Sequence, residues 1–141
     1  GSYKAVSEAK KAAEAAEAAS SIPNKGFSTF NELKREIGSP GEGNAWHHIV
    51  EQAQIKKSGF SPEDIHNLKN IVSIPHGKGS IHAQISGFYS SITDISEGLT
   101  VRQWLTGKSF EEQFEFGIKI LKRYGDLVET ENGWIFTPFD N

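Results

Sequence analysis

The chain is expected to fold as an α+β domain, in which a small β-hairpin plus helix motif (ββα-like) packs against C-terminal helices and a terminal β-hairpin closes the unit. Three observations predict this. Short runs rich in β-branched and aromatic residues at 45–50 and 70–75 have the composition of strands. Capping residues stand ahead of apolar stripes at 80–91 and 110–124, which is how helices begin. Near the end, Glu131-Asn132-Gly133 separates two further strand-like runs, and Asn-Gly tolerates the positive φ of a tight hairpin turn.

Composition supports one packed unit. A length of 141 residues is close to the commonest domain size, and nine Phe with three Trp supply the large side chains of a core. The first two residues, Gly1-Ser2, read as the remnant of an expression tag, so the chain is expected to be a piece of a longer protein. Residues 3–20 are Ala-rich with interspersed Lys and Glu, a composition of high helix propensity but almost no bulky anchor. Residues 1–25 are accordingly read as a tag remnant and linker helix, and residues 26–141 as a single domain.

Within that domain, Pro23 and Gly26 mark a break, and Thr29 with Glu32 forms a capping-box pair ahead of a helix at 30–37 that Gly38 stops. A loop at 39–43 leads to the strand at 45–50. Ser61-Pro62 starts a short helix at 62–68, and Pro75 stops the strand at 70–75. Ser80 caps the helix at 80–91, where Ile81, Ile85, Phe88 and Ile92 share one stripe and His82, Ser86 and Tyr89 a neighbouring one. Thr100 caps a helix at 101–105. Ser109 and Glu112 repeat the capping box before 110–124, whose buried face is expected to be Phe110, Phe114, Ile118 and Leu121, with Gly125 ending it. The terminal strands fall at 127–130 and 134–137.

Several function classes are excluded or disfavoured. With no Cys there are no disulfides and no thiolate zinc sites, so a metal would need His, Asp, Glu or Asn. No apolar run approaches the roughly 20 residues of a membrane span, and a signal-peptide pattern is missing, so a soluble fragment is expected. A net charge of −3 argues against general basic grip on nucleic acid. The charge is uneven, however: Lys56, Lys57, Lys69 and Lys78 lie in the middle of the chain, while the region after 110 is acidic and is expected to face away from any substrate.

All five histidines, His47, His48, His66, His76 and His82, fall in that middle stretch. Adjacent strand residues point to opposite faces, so His47 and His48 can serve one site only where the strand bends or ends. One imidazole holding a metal while its neighbour deprotonates the nucleophile is a division of labour suited to phosphodiester cleavage. His66 reads instead as a structural residue in turn chemistry, Trp46 as a core anchor, and 77–79 as a flexible turn too short for a P-loop, while Glu51 is open to three readings: a third catalytic partner, a brace for a histidine, which is favoured, or a surface acid.

A strand with His-His, a loop with Asn, a second strand and a helix with His occur in that order over 46–89. This segment resembles the HNH/endonuclease VII superfamily, and more narrowly the Trp-His-His and related His-His nuclease domains at the C-terminal ends of bacterial polymorphic toxins of the contact-dependent inhibition and Rhs/YD-repeat types. The resemblance implies an endonuclease, a hydrolase of DNA or RNA, delivered from the cell surface or by secretion as part of a larger bacterial protein. It would act in the cytoplasm of the target cell and be neutralised by a cognate immunity protein. It further implies His47 as a metal ligand, His48 as general base, Asn70 (or Asn67) as the Asn bracing the His loop, and His82 as a ligand on the helix, around a divalent ion such as Zn, Mg or Ni. Where colicin-type members place a second helix histidine, this chain has Ser86, so His76 is the remaining candidate for a metal trio of His47, His76 and His82.

Two alternatives stand beside it. A metal-independent RNase, for example one cutting tRNA, would use His48 and His82 as base and acid on the ribose 2′-hydroxyl and the leaving oxygen. Lys78 or the 77–80 amides would then receive the phosphate, and Ser86 and Tyr89 would assist. A non-catalytic binding module would use the histidines as a structural site. A different hydrolase using His-activated water finds neither a nucleophilic Cys nor a Gly-x-Ser-x-Gly elbow to support it.

Overall fold

The computed structural model describes residues 21–140; the Ala-rich segment 3–20 lies outside them. In chain order the elements are α1 (Phe30–Ile37), β1 (Asn44–His48), α2 (Gln54–Ser58), α3 (Pro62–Ile65), a 3-10 turn (Leu68–Asn70), β2 (Ile71–Pro75), α4 (Ile81–Tyr89), α5 (Val101–Leu105), α6 (Phe110–Lys122), β3 (Gly125–Thr130) and β4 (Gly133–Pro138). The α+β class holds, with β1 and β2 in one antiparallel pair and β3 and β4 in a second. The order β1, β2, α4 is the expected ββα motif, and α5 and α6 cover it.

Local chemistry explains most boundaries. Thr29, Ser61, Ser80, Thr100 and Ser109 each accept a hydrogen bond from a backbone amide of the first helical turn. At Ser109 the Glu112 carboxylate also accepts from the Ser109 amide, and at Thr100 the Gln103 side-chain oxygen accepts from the Thr100 amide, which completes a further capping box. At Thr29 the expected reciprocal bond is replaced: the Glu32 carboxylate accepts from the Ser28 amide at 3.3 Å and from its hydroxyl at 2.8 Å. Ser28 offers two donors where Thr29 would offer one.

Three other expectations are corrected. The first strand ends at His48 rather than 50, because the Asn70 side chain takes over the backbone of Val50 where a β2 backbone partner would be needed. Helix α4 stops at Tyr89, so Ile92 leaves the stripe, is 66% exposed, and pairs in an isolated bridge with Thr100. Helix α6 buries Gln113, Gly117, Ile120 and Leu121, leaving Phe110, Phe114 and Ile118 only partly covered.

The α6 rotation follows from Gly117. A Cβ there would lie 2.5 Å from the Ile49 carbonyl oxygen and 2.8 Å from Ile49 Cγ2, so only glycine lets α6 approach the chain as it leaves β1. Gln113 is tolerated in that buried face because its amide nitrogen donates to the carbonyls of Leu105 (3.0 Å) and Lys108 (3.1 Å) and to Ser58 Oγ (3.1 Å).

The core is continuous with the motif. Ile49, Val72, Ile74, Ile85, Tyr89, Val101, Leu105, Ile120 and Leu121 form one buried cluster joining β2, α4, α5 and α6. Burial of each aliphatic side chain contributes on the order of 2 kcal/mol. The terminal hairpin is pinned to the ββα motif by Trp134, whose Nε1 donates to the Lys69 carbonyl at 2.8 Å, just ahead of β2. Packing reaches upstream of Gly26 as well: Ile22 is buried and the Leu68 amide donates to the Lys25 carbonyl at 2.9 Å. Among the described residues no helix is long and apolar enough to cross a membrane.

Candidate active site

Alternation along β1 divides the histidines into two pairs. His47 opposes Val72 and His48 opposes Ile71 in the β1–β2 register, so their side chains leave on opposite faces. The His47 ring meets His82 of α4 edge-on, with centroids 5.9 Å apart at 87°. On the other face His48 is buried against Phe30, at 4.6 Å between centroids, and its Nε2 lies 3.2 Å from His66 Nδ1.

The two pairs differ in what they leave free. Every buried side-chain polar atom among the described residues has a partner except the Tyr89 hydroxyl, and among those residues neither the His47 nor the His82 ring makes a hydrogen bond. Both residues line a cleft of about 320 Å³, together with Glu51, Ser86, Tyr89 and Arg102. His48 borders this cleft, but its imidazole is tied to His66. The expected base and acid pair of His48 with His82 is therefore not the pair that the fold assembles; His47 takes the place facing His82.

Electrostatics follow the same division. Desolvation, with a smaller contribution from His82, pushes His47 down to about 3, so it is a neutral proton acceptor at physiological pH. His48 is also pushed down to about 3, by burial first and then by His66 and His47. His66 is lowered by burial against an opposing pull from Glu63.

The Asn70 side chain is engaged with backbone on both of its polar ends. Its Oδ1 accepts from the Val50 amide at 2.9 Å, and its Nδ2 donates to the Val50 and Ile65 carbonyls, both at 3.0 Å. This clamps the segment just after His47 and His48 to the end of α3, and it makes Asn70 a positioning residue that does not reach the cleft. Asn67 acts elsewhere: its side chain accepts from Lys69 N and donates to Asn24 Oδ1 and the Glu63 carbonyl.

Glu51 is not the brace of a histidine. Both its carboxylate oxygens are engaged by Arg102, at 2.9 Å from Nε and 2.7 Å from one terminal nitrogen, while the other terminal nitrogen donates to Ser90 Oγ at 2.9 Å. Sequence reasoning missed Arg102, because a pairing across 51 residues leaves no local pattern. Its only local signal was a place in the first turn of a capped helix.

Tyr89 was expected on a polar lane and is instead 2% exposed, packed in the core with Phe88 and Phe116 around it. Its hydroxyl has no hydrogen-bond partner, an arrangement that costs about 1–3 kcal/mol in an apolar setting. Burial and the nearby Glu51 push the hydroxyl above its ordinary pKa, against the pull of Arg102, so it stays protonated and is available as a donor.

Ser86 lines the cleft, whereas His76 and Lys78 sit exposed on the loop before α4 and do not. The metal trio of His47, His76 and His82 is thus not assembled, and no group of three His, Asp or Glu side chains among the described residues is placed to hold an ion. The cleft supplies two imidazoles and a carboxylate already satisfied by Arg102, which does not complete the donor set of a tetrahedral site. Compared with known protein families, curated proteins and solved structures, the chain matches none.

Proposed function

We propose that this chain is a nuclease domain that cleaves RNA phosphodiester bonds with His47 and His82 as an acid and base pair. The observation that carries the reading is the edge-on meeting of two imidazoles, with centroids 5.9 Å apart, that both line the cleft and make no ring hydrogen bond among the described residues. His47, held neutral, takes the proton of the ribose 2′-hydroxyl as that oxygen attacks phosphorus. The bond to the 5′-oxygen breaks, and His82 gives that oxygen a proton, leaving a cyclic 2′,3′-phosphate and a free 5′-hydroxyl. A phosphate entering the cleft adds negative charge beside His47 and raises its proton affinity toward the working range.

The order of His47-His48, Asn70 and His82 over the ββα motif supports placing this activity among the His-His nuclease toxins. On that reading the parent is a secreted or surface-delivered bacterial protein that acts in the cytoplasm of a competitor, and a cognate immunity protein protects the producing cell.

The test is incubation of the purified chain with tRNA, rRNA and plasmid DNA, with and without EDTA. RNA cleavage that survives chelation is expected, and His47→Ala and His82→Ala should each lower it by about 10²–10⁴-fold with an unchanged thermal midpoint. Nicking of DNA that EDTA abolishes would replace this mechanism with the metal-dependent one. No cleavage of any substrate would leave a binding module.

A further inference from the structure

We propose that Arg102 and Tyr89 form the arm that receives the phosphate to be cleaved, with Glu51 as the tether of Arg102 rather than a proton acceptor. The inference rests on the nuclease reading for the nature of the anion, and on geometry for the site.

A guanidinium has five N–H donors. In Arg102, one from Nε and one from a terminal nitrogen go to Glu51, and one goes to Ser90 Oγ, so two remain uncommitted in a residue that lines the cleft. The Glu51 fork fixes the plane of the group, and α5 is held from behind by Gln54, whose Nε2 donates to the Arg102 carbonyl at 3.3 Å. An arginine so restrained loses little freedom on binding an anion.

The second observation is independent of charge. The Tyr89 hydroxyl is buried in the wall of the same cleft and is the one buried side-chain polar atom without a partner among the described residues. A phosphate oxygen seated on Arg102 supplies the acceptor it lacks. His47 and His82 line the same cleft, so a phosphodiester held there shares it with the proton acceptor and the proton donor.

Tyr89→Phe removes only the hydroxyl, and Arg102→Lys keeps the charge while losing the fork. Both are to be compared with the wild-type chain in three measurements: kcat and KM on tRNA, the thermal midpoint, and NMR titration with inorganic phosphate followed at the backbone amides of the cleft-lining residues. Tyr89→Phe is expected to keep or raise the thermal midpoint while lowering kcat/KM by about 10- to 100-fold, the range for a hydrogen bond to a charged group. It should also weaken phosphate binding, as should Arg102→Lys.

Wild-type cleavage with an unaltered kcat/KM in both variants would overturn the arm and leave the nuclease reading standing. A lowered thermal midpoint in Tyr89→Phe would also overturn it, since the hydroxyl would then be structural. Phosphate binding that Tyr89→Phe weakens, in a chain that cuts no RNA, would uphold the anion site and remove the nuclease reading.

Discussion

His48 Nε2 and His66 Nδ1 face each other at 3.2 Å beneath the ring of Phe30. One nitrogen must carry a proton and the other must not, so the contact is a hydrogen bond only while the pair holds at least one neutral ring. Protonating both sets two donors against each other in a dry pocket. Folding therefore selects the neutral form of His48.

Acid lability follows. His48 binds its proton near pH 3 when folded and near its ordinary 6.5 when unfolded, so between those values the unfolded state holds more protons. The stabilisation is present in full above 6.5 and is lost as pH falls toward 3. Over the span from 6.5 to 5 the loss is about 2 kcal/mol from this group. Urea denaturation of the wild-type chain at pH 7 and pH 5 measures it, and His48→Gln, which cannot titrate, should show a shallower fall.

The Asn70 clamp is expected to fail as a unit. Asn70→Ala leaves the Val50 amide and the carbonyls of Val50 and Ile65 without these partners, in a residue that is 1% exposed. Destabilisation of about 3–5 kcal/mol is expected from the unsatisfied groups, read from the urea midpoint. Asn70→Asp should be no better, since a carboxylate cannot donate to the two carbonyls and brings a buried charge. Recovery of stability in Asn70→Asp would show that only the acceptor side matters.

Which of these features could be read beforehand depended on their range. Helix starts were legible because Thr29, Ser61, Ser80, Thr100 and Ser109 act on amides within the next turn. Helix α2 was not: Ala53 gives it no side-chain cap, and in Gln54–Ser58 only Ile55 is apolar. The role expected of Asn70 came from the order of motifs, which says nothing of its hydrogen bonds to Val50 and Ile65. The partners of His47 and His48 were left open by the period of a strand, which says that the two diverge but not what waits on each face. That choice was made by Phe30 and His66 on one side and α4 on the other, and Arg102 reaches Glu51 only through the packing of α5.

Glu51 and Arg102 should couple as a structural pair. Their side chains are 19% and 25% exposed, so screening reduces but does not remove the interaction. A double-mutant cycle with Glu51→Gln and Arg102→Met is expected to give a coupling energy of about 1–3 kcal/mol, measured by chemical denaturation. Glu51→Gln should lower stability together with cleavage. Full stability with lost cleavage would instead make the carboxylate a participant in proton transfer.

Two glycines inside helices should respond with opposite signs to the same change. Helix propensity alone favours alanine over glycine by about 1 kcal/mol. At Gly87, in α4, a Cβ meets nothing within 4 Å, so Gly87→Ala should raise stability by up to that amount. At Gly117 the new methyl would press on the Ile49 carbonyl and on Ile49 Cγ2, and α6 would have to retreat from the chain that follows His48. The overpacking outweighs the propensity gain, and a net loss of about 1–3 kcal/mol is expected for Gly117→Ala. Because the same displacement disturbs the segment carrying Glu51, cleavage should fall in Gly117→Ala and persist in Gly87→Ala. Thermal midpoints and RNA cleavage measured side by side decide it, and equal stabilities for the two variants would contradict the close approach of α6 to Ile49.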